Sequence, residues 1–359
     1  MSTVHRPENL PTATIRSDPA DFIVDEIPAY GPSGSGEHLF VTFRKTSLTT
    51  FAAVQQLAEA LGVDSRDAGF AGMKDRHAVT TQTASFPFAA DRDEAAAIDA
   101  IALPGIEILA AQRHEQKLRT GHLSGNRFAL ILRDVAPTAL DGMAAQLETI
   151  RRRGLPNAFG PQRFGRDGDN PERALQWIRG DARPPRSKKE QRLLFSAWQS
   201  LLFNQVLDAR VEAGTWDQVL PGDLAKKHES GGMFLVPPEG AELTDARARA
   251  DRNELSATGP MFGAKMRWPE GEVATLERGV LEASLGPVER LKPLKRYGKG
   301  TRRPLRLHVR DLKWHPEPDK SRVGLTFVLA KGGYATSVVE QICRPVDPHA
   351  RPTRTDEDT

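Results

Sequence analysis

The spacing of apolar positions changes several times along the chain, and each change predicts an element. From Gly36 to Thr46 (GEHLFVTFRKT) β-branched and aromatic residues dominate, which predicts a strand approached through the turn-rich PAYGPSGSG. Phe51, Val54, Leu57 and Leu61 then recur at helical spacing, with Thr49 or Thr50 as the cap and Gly62 as the stop. A GFAGMKDRH turn leads into a second strand, AVTTQTASF, within Gly69 to Phe88. Arg127 to Val135 (RFALILRDV) reads as a buried strand and Leu140 to Arg152 as an amphipathic helix.

At Gly154 the pattern breaks. GLPNAFGPQRFGRDGDNP holds four glycines and three prolines, too many turn formers for the interior of an element, so it reads as a long boundary loop. Beyond it the chain is largely helical: Pro171 to Arg179 has proline at a first helical position, and Lys189 to Ala213 is long and periodic. Strand character returns at Leu305 to Val309 and Val323 to Leu329, and Thr336 or Ser337 can cap a last helix, SVVEQIC. A β-rich, then helical, then β-rich order is better explained by an inserted domain than by two domains in series. The tail Pro345 to Thr359 is nearly devoid of apolar residues and is expected to be disordered.

Composition narrows the class. The 359 residues exceed the usual domain length of roughly 100–200, so two domains or one large one are expected. With 39% hydrophobic and 27% charged residues the chain is not wholly disordered, and no stretch approaches the roughly 20 apolar residues of a spanning helix, so no membrane is expected. A single cysteine, Cys343, allows no internal disulfide, no CxxC zinc site and no two-cysteine deaminase signature, and it suits the cytosol. The first residues, MSTVHRPENLPTATIRSDP, carry no readable secretory or transit signal. The nine histidines lack HExxH spacing. Gly31, Gly34 and Gly36 lack the GK[ST] ending of a nucleotide loop and read instead as a hairpin turn, so neither metal nor cofactor is indicated.

Charge matters only where it clusters. The formal net charge is +3, yet Arg290, Lys292, Lys295, Arg296, Lys299, Arg302, Arg303 and Arg306 follow one another with no acidic residue between them. A polyanion would use this stripe, because each neutralised phosphate releases counterions; the alternative is a solvated loop.

Three stretches could carry chemistry. In GMKDRHAV, Asp75 stands between Lys74 and Arg76; nearby cations favour an ionised carboxylate, as a nucleophile or anchor requires. A preceding glycine permits a sharp turn and the following strand gives a rigid base, although a KDR triplet alone is more often a solvated turn. In GNRF, Asn126 offers donors and an acceptor and Phe128 a ring face, which together suit a planar base; an ordinary turn before a core Phe is the plainer alternative. In NAFGPQRFG, aromatic and amide groups and Arg163 interleave with glycines, a pattern fit to clamp nucleic acid or to bury two phenylalanines.

Taken in order with SAWQSLLFNQVL (Ser196 to Leu207) and GGYATSVVEQI (Gly332 to Ile342), these stretches closely resemble the TruD family of tRNA pseudouridine synthases, from about Phe22 to Ile342. The resemblance implies an α+β fold: a catalytic domain with a mixed, largely antiparallel sheet, formed by residues 1–153 and 308–344 and interrupted by an α/β insertion over 154–307. It implies that Asp75 is the catalytic aspartate, a nucleophile or else a general base on the sugar, that Phe128 stacks on the target base, and that Asn126, Phe22 and Tyr334 line the pocket. At Tyr334 many relatives carry Phe, so a buried hydroxyl there would need a partner. Lys74, Arg76, Arg163, Lys295, Arg296, Arg302 and Arg303 are the expected RNA contacts, the basic stripe falling at the domain junction. The implied reaction converts uridine to pseudouridine at position 13, in the dihydrouridine arm of tRNA, with tRNA-Glu as the expected substrate. It needs no cofactor. The expected partner is tRNA, with no protein partner, in a cytoplasmic monomer. Two other classes remain open: a non-catalytic RNA-binding protein or tRNA chaperone, and a metal-assisted hydrolase with Asp75 as nucleophile, for which this stretch is short of acidic ligands.

Overall fold

The computed structural model describes residues 7 and 9–349. The reading of the first few residues, and of the tail from residue 350 on, lies outside the described residues. The chain divides into two compact units: Pro7–Arg151 with the segment from Val309 onward, and Arg152–His308.

The first unit opens with β1 (Thr12–Thr14), β2 (Phe22–Pro28) and β3 (His38–Thr46), then α1 (Thr50–Ala60), β4 (Gly69–Phe70), β5 (Val79–Pro87), α2 (Glu94–Asp99), β6 (Ile106–His114), β7 (Leu123–Arg133) and α3 (Leu140–Arg153). Thr49 caps α1, its hydroxyl accepting from the Ala52 N–H, while Gly62 continues past the helix end at φ 66°. The second unit holds β8 (Leu155–Pro156), α4 (Asn170–Arg179), α5 (Lys188–Glu212), β9 (Leu224–Lys227), β10 (Met233–Leu235), α6 (Ala241–Asp251), β11 (Leu255–Met261), α7 (Gly271–Ser284), β12 (Thr301–Pro304) and β13 (Arg306–Leu307). The chain then returns to the first unit with β14 (Val309–Glu317), β15 (Arg322–Ala330), α8 (Ala335–Val339) and β16 (Arg344–Val346).

The main sheet of the first unit runs β14-β15-β7-β2-β5-β3-β6. Every neighbouring pair along this path is antiparallel except β2 with β5, which meet in parallel over Ile23↔Val79, Val24↔Thr80 and Asp25↔Thr81. Because side chains alternate across a strand, the register places Lys45, Thr80, Val24, Phe128 and Phe327 in one row on one face. On that face α1 buries Ala53, Val54, Leu57, Ala58 and Leu61 against Leu39, Val41, Phe43, Ala84 and Phe86.

Three expectations for this unit are corrected. Gly31, Gly34 and Gly36 do not form a hairpin: β5 lies between β2 and β3 and pairs with both, so the glycine segment is a crossing loop. Thr336 and Ser337 lie inside α8; Tyr334 holds the cap position and makes no capping bond. The beginning of the polar tail is not disordered, since Arg344, Pro345 and Val346 pair in parallel with Thr12, Ala13 and Thr14. Ladder bonds are made by the main chain, so a shortage of apolar side chains does not forbid a strand.

In the second unit α5 is buried along most of its length, which explains why its periodicity continues over 25 residues. Phe203 and Leu207 enter one core with Ala225, Leu255 and Leu305, while Leu194, Phe195, Trp198 and Leu202 enter another with Phe262, Leu281 and Leu291. The sheet order is β10-β9-β11-β12. Here the basic stripe divides. Lys292, Lys295, Arg296 and Lys299 are exposed. Arg302 is not an RNA contact: it is buried, its guanidinium forking onto both Glu277 oxygens at 2.6 and 2.7 Å and bonding Thr258. Arg303 is half-buried over the Phe159 ring at 4.2 Å and bonds Asn157. Strand alternation on β12 turns Arg302 inward, and the buried Glu277 carboxylate supplies its partner.

Burial pushes the Glu277 carboxyl above its ordinary range, and the Arg302 fork opposes that rise. Arg302→Met should therefore destabilise the protein by about 3–5 kcal/mol, because it strands a buried acid, while Arg302→Met with Glu277→Leu should recover most of the loss. Urea unfolding of the two variants measures this; equal losses in both would show that the pair itself is not the source.

Candidate active site

Asp75 lies in the loop between β4 and β5, and its side chain is 58% exposed. The loop beneath it is tied at three points. The Lys74 N–H donates to Thr50 Oγ1 at 2.8 Å, and Thr50 itself donates to Gln82 Oε1 at 2.9 Å. The Lys74 ammonium donates to Glu26 Oε2 at 2.5 Å. The Lys45 ammonium donates to the Asp75 carbonyl at 2.8 Å and to the Leu48 carbonyl at 2.6 Å.

The cation on the Asp75 carboxylate is neither of its sequence neighbours. Arg16 reaches Asp75 Oδ2 at 3.1 Å, holds Asp347 with its other arm at 2.7 Å, and lies 4.1 Å over the Phe22 ring. Lys74, expected as an RNA contact, is instead nearly buried in its pair with Glu26. The reason is that a buried carboxylate attracts a cation more strongly than an exposed one, where water competes. Arg76 is exposed.

The ring positions gather around the same row. Phe22 meets Phe128 edge-on with centroids 6.5 Å apart, and Phe128 stacks on Phe327 at 5.3 Å. Both Phe22 and Phe128 are largely buried, so Phe128 is a core residue as well as a candidate stacking face. Asn126, opposite Glu26 and Leu329 in the ladder, keeps a buried Oδ1 with no hydrogen-bond donor. Tyr334 follows the end of β15 and is half exposed, so its hydroxyl needs no internal partner. Asp75, Phe22, Phe128 and Asn126 are thus joined through Lys45, Arg16 and the β2–β7 ladder. Arg163, in the second unit, is held by the Ser196 and Ser200 hydroxyls 5.3 Å from the Phe159 ring.

Sequence reasoning missed Arg16, Glu26, Lys45 and the bond by which Thr50, not the cap of α1, holds the loop. Lys45 carried a readable signal: it continues the inward alternation Leu39, Val41, Phe43, so a cation falls on a core position. Arg16 carried none, since only the tertiary fold brings it to a residue 59 positions away. Among the described residues no group of three or more His, Cys, Asp or Glu side chains could hold a metal ion, and no helix is long and apolar enough to cross a membrane.

A family model described as tRNA pseudouridine synthase D (TruD) matches residues 11–183 and 185–342. The chain belongs to this family. It is 42% identical over 337 residues to the tRNA pseudouridine synthase D of Anaeromyxobacter dehalogenans (strain 2CP-C), covering 92% of each chain. It is 38% identical over 353 residues to the tRNA pseudouridine synthase D of Thermus thermophilus, covering 96% of this chain and 95% of the relative. The crystal structure of the putative tRNA pseudouridine synthase D from Methanosarcina mazei shares the fold with a TM-score of 0.73 and 23% identity, over 94% of both chains. The loop GMKDRHAV that the sequence singles out lies within the matched residues, and the bonds to Lys45, Thr50 and Glu26 shape it here.

Burial lowers the Lys45 ammonium from 10.5 to about 8; Asp75 opposes the shift and Lys74 adds to it. Between these values the unfolded chain holds a proton that the folded chain has released, so folding stability should rise as pH rises through this window. NMR titration of the Lys45 side chain should give a midpoint near 8, and Lys45→Met should remove the rise in stability. A midpoint near 10.5 would contradict the described burial.

Proposed function

We propose that the chain isomerises uridine to pseudouridine in tRNA, at position 13 of the dihydrouridine arm and with tRNA-Glu among its substrates. Asp75 is the nucleophile. The observation that carries this reading is an exposed carboxylate on a firmly tied loop, linked through Arg16 to the Phe22 ring and through Lys74 and Glu26 to the strand pair that holds Asn126, a buried acceptor without a donor.

The chemistry follows from what each group offers. A uridine in a folded arm must first be extruded, which costs a few kcal/mol, and stacking on an aromatic face returns about 1–3 kcal/mol per base. Phe128, with Phe22 beside it, is that face, and Tyr334 lines the mouth. Uracil presents N3–H, a donor suited to the unpaired Asn126 Oδ1. Arg16 pairs with one Asp75 carboxylate oxygen and leaves the other for substrate. The N1–C1′ bond breaks, the uracil turns, C5 bonds to C1′, and the C5 hydrogen leaves as a proton while N1 gains one. The product is an isomer, so no redox partner or phosphate donor is consumed. Residues 154–307 are the family's insertion, and tRNA is the partner, met in the cytoplasm.

Asp75→Asn keeps the shape of the side chain and removes its charge. Purified Asp75→Asn should bind unmodified tRNA while carbodiimide labelling detects no pseudouridine above background. Appreciable conversion by this variant would overturn the assignment. Binding without turnover by the unaltered chain would favour an RNA-binding protein instead.

Affinity should depend on the exposed part of the basic stripe. Changing Lys292, Lys295, Arg296 and Lys299 to Ser should weaken tRNA binding and flatten the slope of log affinity against log salt, by roughly 0.7–0.9 per lost phosphate contact. An unchanged slope would identify the stripe as solvated surface.

A further inference from the structure

We infer that Lys45 is a positioning residue for Asp75, aiming the carboxylate by gripping the backbone carbonyl of the same residue. The inference rests on the reading of Asp75 as the catalytic group. Asp75 has an exposed side chain whose one described ion pair is with Arg16, so its direction is set largely by its own backbone. That backbone is gripped on both sides: Thr50 takes the N–H of Lys74, and Lys45 takes the C=O of Asp75.

The choice of a lysine is physically unfavourable. Lys45 is fully buried, and an ammonium removed from water must recover its hydration from nearby acceptors. Both acceptors described are main-chain carbonyls, of Leu48 and Asp75, and neither is a carboxylate. An apolar side chain of similar length would fill the same inward position on β3 beside Phe43 without that penalty. What lysine adds is reach: one ammonium links the turn after β3 to the loop after β4, fixing the distance between the cap of α1 and Asp75. The charged groups facing it are Asp75 and Lys74, both from the loop; its ladder partners Thr80 on β5 and Ile106 on β6, and Leu48 and Thr50 at the start of α1, are neutral.

The test is single-turnover conversion of unmodified tRNA by the full chain, followed from well below to well above pH 8, with tRNA affinity measured alongside. Lys45→Met should convert about a hundredfold more slowly, the loss expected of a reacting group misplaced by about an ångström, at unchanged affinity. The unaltered chain should slow as the pH rises through about 8, where the ammonium becomes a weaker donor, and Lys45→Met should lack that fall. A Lys45→Met enzyme with the full rate, or with the same pH profile as the unaltered chain, overturns the inference. If Lys45→Met does not fold, Lys45→Gln, shorter and uncharged, takes its place, and a full rate in that folded variant also overturns it. Asp75→Asn measured beside them separates the claims: if it is active the catalytic reading fails, whereas if it is inactive and Lys45→Met is fully active only the tether fails.

Discussion

Two peptide groups of one short loop, flanking Lys74 and Asp75, and the two side chains that grip them organise the candidate site. A catalytic carboxylate must be exposed to meet its substrate, yet an exposed side chain on a loop wanders unless its backbone is fixed. Here the solution is to bury the polar anchors and expose only the acid. Lys45, Thr50 and Glu26 all sit beneath the loop: Lys45 donates to the Asp75 carbonyl, while Thr50 accepts from the Lys74 N–H and Glu26 from the Lys74 ammonium. Because buried polar groups must be paired, these bonds are costly to break, and the loop inherits that rigidity.

The sheet makes those anchors available. Glu26 follows directly on the residues of β2 that pair with β5, and the loop before β5 reaches it through the Lys74 side chain. Antiparallel pairing on either side then extends one row from Lys45 to Phe327, so the anchor of the loop and the ring Phe128 belong to a single rigid element. Arg16 joins the aromatic and acidic parts from outside, touching Phe22 with its face and Asp75 with its edge. Its position is itself held through Asp347, just past the strand pairing of β16 with β1.

Much of this was legible in the chain. The strands over 36–46 and 127–135, the helix from Thr50 and its Thr49 cap, and the long helix from Lys188 follow from periodicity and cap chemistry. Asp75, Asn126 and Phe128 stood out because unusual residue types cluster there. What was not legible depends on long-range pairing. Nothing near Arg16 reveals that Asp75 lies opposite, and nothing in the run Arg302, Arg303 reveals that one faces a buried Glu277 and the other a phenylalanine ring. A charge stripe reads as one surface in sequence, whereas a strand splits it by alternation. The polar tail misled for a related reason: its strand is made with backbone bonds that composition does not report.

The central claim is that the tied loop presents Asp75 to a base held by Phe128 and Asn126. The most direct measurement is a crystal structure with an RNA arm carrying 5-fluorouridine at the target, since fluorine at C5 blocks the final proton loss. The account predicts the fluorinated ring against Phe128, its N3–H on Asn126 Oδ1, Asp75 in contact with the nucleoside, and the bonds of Lys45 and Thr50 to the loop unchanged. A base bound elsewhere, or one held in this pocket with Asp75 turned away on Arg16, would contradict it.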